Sequence, residues 1–252
     1  MTQPGLCAIA VMAKAPVSGR AKTRLVPPLS PDCAAALSAA FLRDVGANLS
    51  LAAQTAPIRP GFAYAPAGAE AALRPLLPDG GFLVLADGAI DAPSEVRGFG
   101  LCLLHAARAV LAETGAGSVC LLNSDSPTLP TARLREAACA LAAPGERVVL
   151  GPAEDGGYYL IGMKTAHPAL FADIAWSTAT ALAETRERVR QAGLEMVELA
   201  PWYDIDDRVS LERLLDNWAA GPRCDGAAPF AAPATAECVQ AWHLREVLAR
   251  AA

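Results

Sequence analysis

The 252-residue chain is 53% hydrophobic and 19% charged, which excludes the polar, highly charged class that stays disordered and allows one large α/β domain or two small ones, with one preferred. Its net charge of −5 argues against general binding to nucleic acid, which calls for a basic face. No uncharged apolar run reaches the roughly 18 to 20 residues of a bilayer span, and seven scattered cysteines with no CxxC pair or nearby histidine cluster suggest neither a disulfide framework nor a zinc site, so a reducing cytoplasm is expected.

The first apolar string, 7–12, reads as a buried strand. A strand is expected there rather than a secretory signal, because no basic residue precedes the string and Lys14 follows at once. Next comes Ala13-Lys14-Ala15-Pro16-Val17-Ser18-Gly19-Arg20-Ala21-Lys22-Thr23-Arg24-Leu25, in which Lys14, Arg20, Lys22 and Arg24 fall within eleven positions that hold no acid. Ligands of open α/β sheets lie beyond the carboxyl ends of the strands. Gly19 and Ser18 permit close backbone approach, and the lysines and arginines make charge-assisted bonds to phosphate oxygens. The plainer alternative is an exposed basic loop. Mutual repulsion of four uncompensated cations, on a segment shaped by Gly and Pro, tilts the reading toward a polyphosphate site.

A helix over 31–51 follows, capped by Ser30 or Asp32, with Ala35, Leu37, Phe41, Leu42 and Val45 as its apolar face. Further strand-like strings lie at 81–86, 118–122, 147–150, 158–163 and 194–199, separated in several places by helical stretches at 98–114, 131–143 and 177–192. This alternation implies an α/β fold: a mostly parallel central sheet covered by helices on both faces.

Three acidic motifs follow strands. In Leu121-Leu122-Asn123-Ser124-Asp125-Ser126-Pro127, Asp125 at a strand's carboxyl end suits a hard divalent cation that phosphates and water complete, or else it caps the turn before Pro127. In Gly151-Pro152-Ala153-Glu154-Asp155-Gly156-Gly157-Tyr158-Tyr159-Leu160, two carboxylates precede paired glycines. That is a hairpin turn, or a place where a ligand meets the backbone. In Trp202-Tyr203-Asp204-Ile205-Asp206-Asp207, alternation puts Asp204 and Asp206 on one face and Ile205 on the other, a second source of metal ligands.

Trp176-Ser177-Thr178 precedes the 177–192 helix, whose amides receive an anion or, more commonly, a cap from Ser177. His105, His167 and His243 show no spacing that suggests chemistry, and neither GxGxxG nor a Walker sequence occurs. The core domain is expected over 1–218, an Ala/Pro-rich linker over 219–236 and a terminal helix over 237–252, docked on its own domain or on a second copy in a homodimer, with its own chain preferred.

In order and combination these motifs resemble the bacterial DUF2064 family, glycosyltransferase-like proteins of the GT-A superfamily related to 2-phospholactate guanylyltransferase and to molybdenum-cofactor nucleotidyltransferases. The resemblance runs from about residue 9 to 215 and rests on the loop 14–25, Ser124-Asp125-Ser126-Pro127, the motif 151–160 and Tyr203-Asp204-Ile205-Asp206. It implies a GT-A three-layer α/β/α sandwich and a nucleotide held by Ala13, Lys14, Gly19, Arg20, Lys22, Arg24, Gly156 and Gly157. It further implies Mg²⁺ or Mn²⁺ on Asp125 and Asp206, with the segment from Asp155 to Tyr158 facing the acceptor or sugar. One departure is 95–102, where relatives carry a glutamine and a more polar helix start near the nucleobase.

The leading expectation is nucleotidyl transfer from a nucleoside triphosphate to a small phosphorylated or oxyanion acceptor, with Lys14, Lys22, Arg24 and Asp155 as the working side chains. Glycosyl transfer from a nucleotide-sugar is the alternative, with Glu154 or Asp155 as base, although a single carboxylate in place of a DxD counts against it. A nucleotide-binding module without turnover is the third.

Overall fold

The computed structural model describes residues 3–220 and 227–250. Seven strands, β1 (Gln3–Ala13), β2 (Ile58–Tyr64), β3 (Phe82–Leu85), β4 (Ala116–Leu122), β5 (Arg147–Pro152), β6 (Tyr158–Met163) and β7 (Glu195–Glu198), form one sheet in the order β3-β2-β1-β4-β6-β5-β7. All neighbours run parallel except β6, which is antiparallel to both β4 and β5. The carboxyl ends of β1, β4 and β5 and the start of β6 therefore share one edge of the sheet.

β1 lies at the centre because it can be buried on both faces. Cys7, Ile9, Val11 and Ala13 turn to one core, and Ala8 and Ala10 turn to the other. The first core is covered by α1 (Pro31–Ala53), α4 (Thr131–Ala142) and the helices that end the described chain: α6 (Arg208–Ala220), α7 (Pro233–Ala241) and α8 (Leu244–Arg250). The second is covered by α3 (Phe99–Thr114) and α5 (Ala181–Gln191). A short α2 (Glu70–Leu73) links β2 to β3.

The first helix starts as expected: Ser30 accepts a hydrogen bond from the Cys33 N–H at 3.2 Å, Pro31 opens the helix and Asp32 lies in its first turn. Phe41, Leu37 and Leu42 are fully buried on its inner face, each stabilising the fold by roughly 2 kcal/mol. α3 stops at Gly115, whose φ of 63° closes the helix in the left-handed region.

The structure departs from the sequence reading in five places. β2, α2 and α6 were not anticipated. The helix expected from Ser177 begins at Ala181 with Thr180 at its cap position, and Ser177 has a φ of 62° and caps nothing. The terminal helix expected from residue 237 is two helices, the first beginning at Pro233 inside the expected linker, of which 221–226 lie outside the described residues.

α7 docks on α1 through Asp44, which is 1% exposed. Its carboxylate accepts from the N–H groups of Ala234 (2.9 Å) and Thr235 (2.7 Å) and from the Thr235 hydroxyl. Asp44 thus satisfies the free amides that open α7 and complements the positive end of its dipole. Replacing Asp44 by Ala leaves these donors buried without partners, and should lower stability by about 2–4 kcal/mol in urea unfolding. An unchanged midpoint would show that these bonds from α7 to Asp44 contribute nothing to the fold.

Candidate active site

A cleft of about 770 Å³ opens at the edge of the sheet where β1, β4, β5 and β6 meet. Of the residues singled out in the sequence, Ala13, Lys14, Arg20, Lys22, Arg24, Asp125, Asp155, Gly157 and Asp206 line it. Gly19 and Gly156 do not. Gly19 shapes the basic loop with a φ of 74°. Gly156 makes room for the chain itself: a Cβ there would lie 2.1 Å from the Ala179 carbonyl oxygen.

The basic loop leaves β1 and folds over the cleft. Lys14 and Arg20 are exposed, and among the described residues neither has a carboxylate within ion-pair distance. Lys22 behaves differently. Its backbone is left-handed (φ 47°), and its side chain, 7% exposed, passes over the Phe41 ring at 5.4 Å. The ammonium then donates to the Ile205 carbonyl at 2.6 Å and to Asp206 Oδ1 at 2.8 Å, and lies 2.8 Å from Asp125 Oδ1. Burial opposes its charge, but Asp125 and Asp206 outweigh burial and hold its pKa above the usual lysine value. Arg24, 72% exposed, approaches Asp206 at 3.8 Å.

Asp125 and Asp206 meet because the chain ties their backbones together. The Ile205 N–H donates to the Asp125 carbonyl at 2.9 Å, which lays 204–206 beside the end of β4. Ile205 is fully buried while Asp204 and Asp206 face the cleft, so the expected alternation holds. Ser124 Oγ donates to Asp125 Oδ1 at 3.0 Å and orients it. Burial alone would raise the Asp206 pKa, but Lys22 reverses the shift and lowers it.

Among the described residues no set of three or more His, Cys, Asp or Glu is placed to hold a metal ion. The two carboxylates nevertheless converge on one point, which the Lys22 ammonium marks at 2.8 Å from each. Such a pair, finished by phosphate oxygens and water, fits a hard divalent cation. Glu154 points elsewhere. It pairs with Arg213, which lies over the Tyr203 ring at 4.1 Å, and this bond lowers its pKa. Asp155 stays at the cleft, with Oδ1 accepting from the Gly157 N–H at 2.8 Å.

Asp204, which the sequence reading puts on one face with Asp206 but ranks below it as a metal ligand, also lines the cleft. Burial first, then the charges of Asp155, Asp206 and Asp125, push its carboxyl up to about 6. A folded pKa above the ordinary 3.8 means that Asp204 contributes stability below 3.8, and that this contribution is lost as pH rises through 6. Asp204→Asn should therefore be more stable than the parent at pH 8, by about 1–2 kcal/mol after allowance for solvent at the cleft, in urea unfolding with chelator. The gain should shrink toward zero below pH 4, and a gain independent of pH would contradict this origin. Tyr158, which the resemblance puts on the acceptor or sugar side, lines the cleft together with Phe99 and Trp176, whose side chains the sequence reading assigned no role.

The fold is shared with a candidate nucleotide-diphospho-sugar transferase of Desulfovibrio desulfuricans G20: 25% identity, TM-score 0.75, covering 97% of this chain and 98% of that one. CMP:2-keto-3-deoxy-manno-octonic acid synthetase, in complex with CTP, matches at 15% identity and a TM-score of 0.50, over 85% of this chain and 99% of that one, a likeness of fold alone. No curated protein matches the chain. The family model described as "Uncharacterized protein conserved in bacteria (DUF2064)" matches residues 48–178. That span takes in Asp125 and the motif 151–160 but not the basic loop or Asp206, and so is narrower than the resemblance read from the motifs. Since it covers more than half of the chain, the protein belongs to the DUF2064 family.

Proposed function

We propose that the protein is a transferase acting on a nucleotide, and specifically that it moves a nucleotidyl group from a nucleoside triphosphate to a small phosphorylated or oxyanion acceptor. The observation that carries this reading is a loop with four cations folded over two convergent carboxylates in a single cleft. A triphosphate brings enough negative charge to occupy Lys14, Arg20 and Arg24 together, more than a diphosphate-sugar does.

In this reading Asp125 and Asp206 hold Mg²⁺ or Mn²⁺, which supplies charge neutralisation at the phosphates. Lys14 and Arg24 stabilise the departing pyrophosphate, and Lys22 turns from the carboxylates toward the phosphates. Ser124 keeps Asp125 in orientation. Asp155 faces the acceptor side.

Glycosyl transfer is the second reading, favoured by the name of the Desulfovibrio relative and by Asp155, a carboxylate at the cleft free to act as base. One experiment separates the two. The protein is incubated with Mg²⁺, a panel of triphosphates and nucleotide-sugars, and a metabolite extract as acceptor. Pyrophosphate release supports nucleotidyl transfer, nucleoside diphosphate release supports glycosyl transfer, and binding without either product defeats both.

A further inference from the structure

The two ends of the cleft differ in character. Among the described residues every cation that lines it, Lys14, Arg20, Lys22 and Arg24, comes from the first loop. The other end is aromatic. Phe99, the first residue of α3, is 45% exposed, and its ring meets Trp176 edge-on, with centroids 5.6 Å apart and planes at 81°. Trp176 in turn meets Tyr158 at 6.5 Å and 81°. The chain gives up a side chain to seat this indole: a Cβ on Gly100 would lie 2.8 Å from the Phe171 carbonyl oxygen and 3.0 Å from Trp176 Nε1.

Two further carboxylates, Asp155 and Asp204, line the same cleft, and they lack the compensation that Asp125 and Asp206 have. Lys22 pairs with Asp125 and Asp206, and Arg24 reaches Asp206. Among the described residues no cation lies within ion-pair distance of Asp155, three positions before Tyr158, or of Asp204, which shares the cleft. Aromatic rings in one cleft with uncompensated carboxylates attract a positive, partly apolar group and disfavour an anion. The phosphates of a nucleotide belong at the loop, and this end suits something else.

We propose that the acceptor carries a substituted ammonium at its non-reacting end, seated against Phe99, Trp176 and Tyr158 with Asp155 as counter-ion, while its oxyanion points toward Asp125 and Asp206. This rests on the transferase reading for the direction of the oxyanion. The ammonium seat itself depends only on the wall.

The test compares phosphocholine with 3,3-dimethylbutyl phosphate, which has the same shape and phosphate but a neutral carbon in place of nitrogen. Binding is titrated calorimetrically with Mg²⁺, with and without inorganic tripolyphosphate, which avoids any choice of nucleobase. Phosphocholine should bind at least about tenfold more tightly. Trp176→Ala and Asp155→Asn should each bring the ratio toward one. Asp155→Asn, at an exposed loop, keeps the test valid if the tryptophan variant folds poorly.

Equal binding of the two probes, binding of neither, or a preference that survives both substitutions overturns the proposal. So does a Trp176→Ala protein that loses affinity for nucleoside triphosphates but not for tripolyphosphate, since the wall would then hold the nucleobase. If the ammonium preference holds while tripolyphosphate does not bind and no turnover is found, the transferase reading fails and the seat stands.

Discussion

Asp125→Ala should abolish turnover, lowering kcat/KM by about 10³-fold or more, equivalent to roughly 4 kcal/mol of lost transition-state stabilisation. Two carboxylates converge on the point that the Lys22 ammonium marks, and Asp125 supplies one of them from the end of β4. Without it Asp206 alone faces the phosphates, and a divalent cation loses half of its anionic protein ligands. The fold should persist, because the bond from the Ile205 N–H goes to the backbone carbonyl of residue 125, and Lys22 keeps its bonds to Ile205 and Asp206. Circular dichroism should therefore match the parent while pyrophosphate release disappears. An Asp125→Ala protein within a few-fold of parental activity would remove Asp125 from the metal site and with it the mechanism proposed above.

Much of this was legible in the sequence, for a physical reason. Strands buried on both faces must be continuously apolar, so β1, β4, β5 and β6 announce themselves, and Asp125 is the first carboxylate after β4. β2 hides because Arg59, Pro60 and Gly61 punctuate it. Its glycine exists to receive a neighbour, since a Cβ at Gly61 would lie 2.5 Å from the Phe82 ring. The direction of β6 depends on its partners and leaves no mark in its own residues. The basic loop and the acidic motifs were each visible. The pairing of Lys22 with Asp206, 184 positions away, was not, since only the closed sheet brings them together. The raised pKa of Asp204 escaped for the same reason: it comes from burial and then from the charges of Asp155, Asp206 and Asp125, and its own segment foretells neither the burial nor the approach of Asp155 and Asp125.

Lys22→Met should separate two effects that the parent combines. The ammonium lies between Asp125 and Asp206, the position that the divalent cation of the proposed mechanism would take, and on that mechanism the two would compete in the free protein. Removing the ammonium should tighten Mn²⁺ binding in the absence of nucleotide by about tenfold, read by electron paramagnetic resonance, because a competing charge at contact distance is gone. Turnover should nevertheless fall by about 10²-fold, since the transferred phosphates lose a preorganised positive group. In chelator, stability should drop by about 1–2 kcal/mol. The loss is modest because Asp125 and Asp206 remain partly hydrated once unpaired. Added Mn²⁺ should then raise Tm more in the variant than in the parent. The stability gap should also depend on pH. Lys22 lowers the Asp206 pKa, so its contribution is present above 3.8 and is lost as pH falls through the lower folded value, where the two proteins converge. If Lys22→Met binds Mn²⁺ no better than the parent and still turns over, the ammonium is a structural tie between the loop and 204–206. The convergent carboxylates would then have to be explained without a metal.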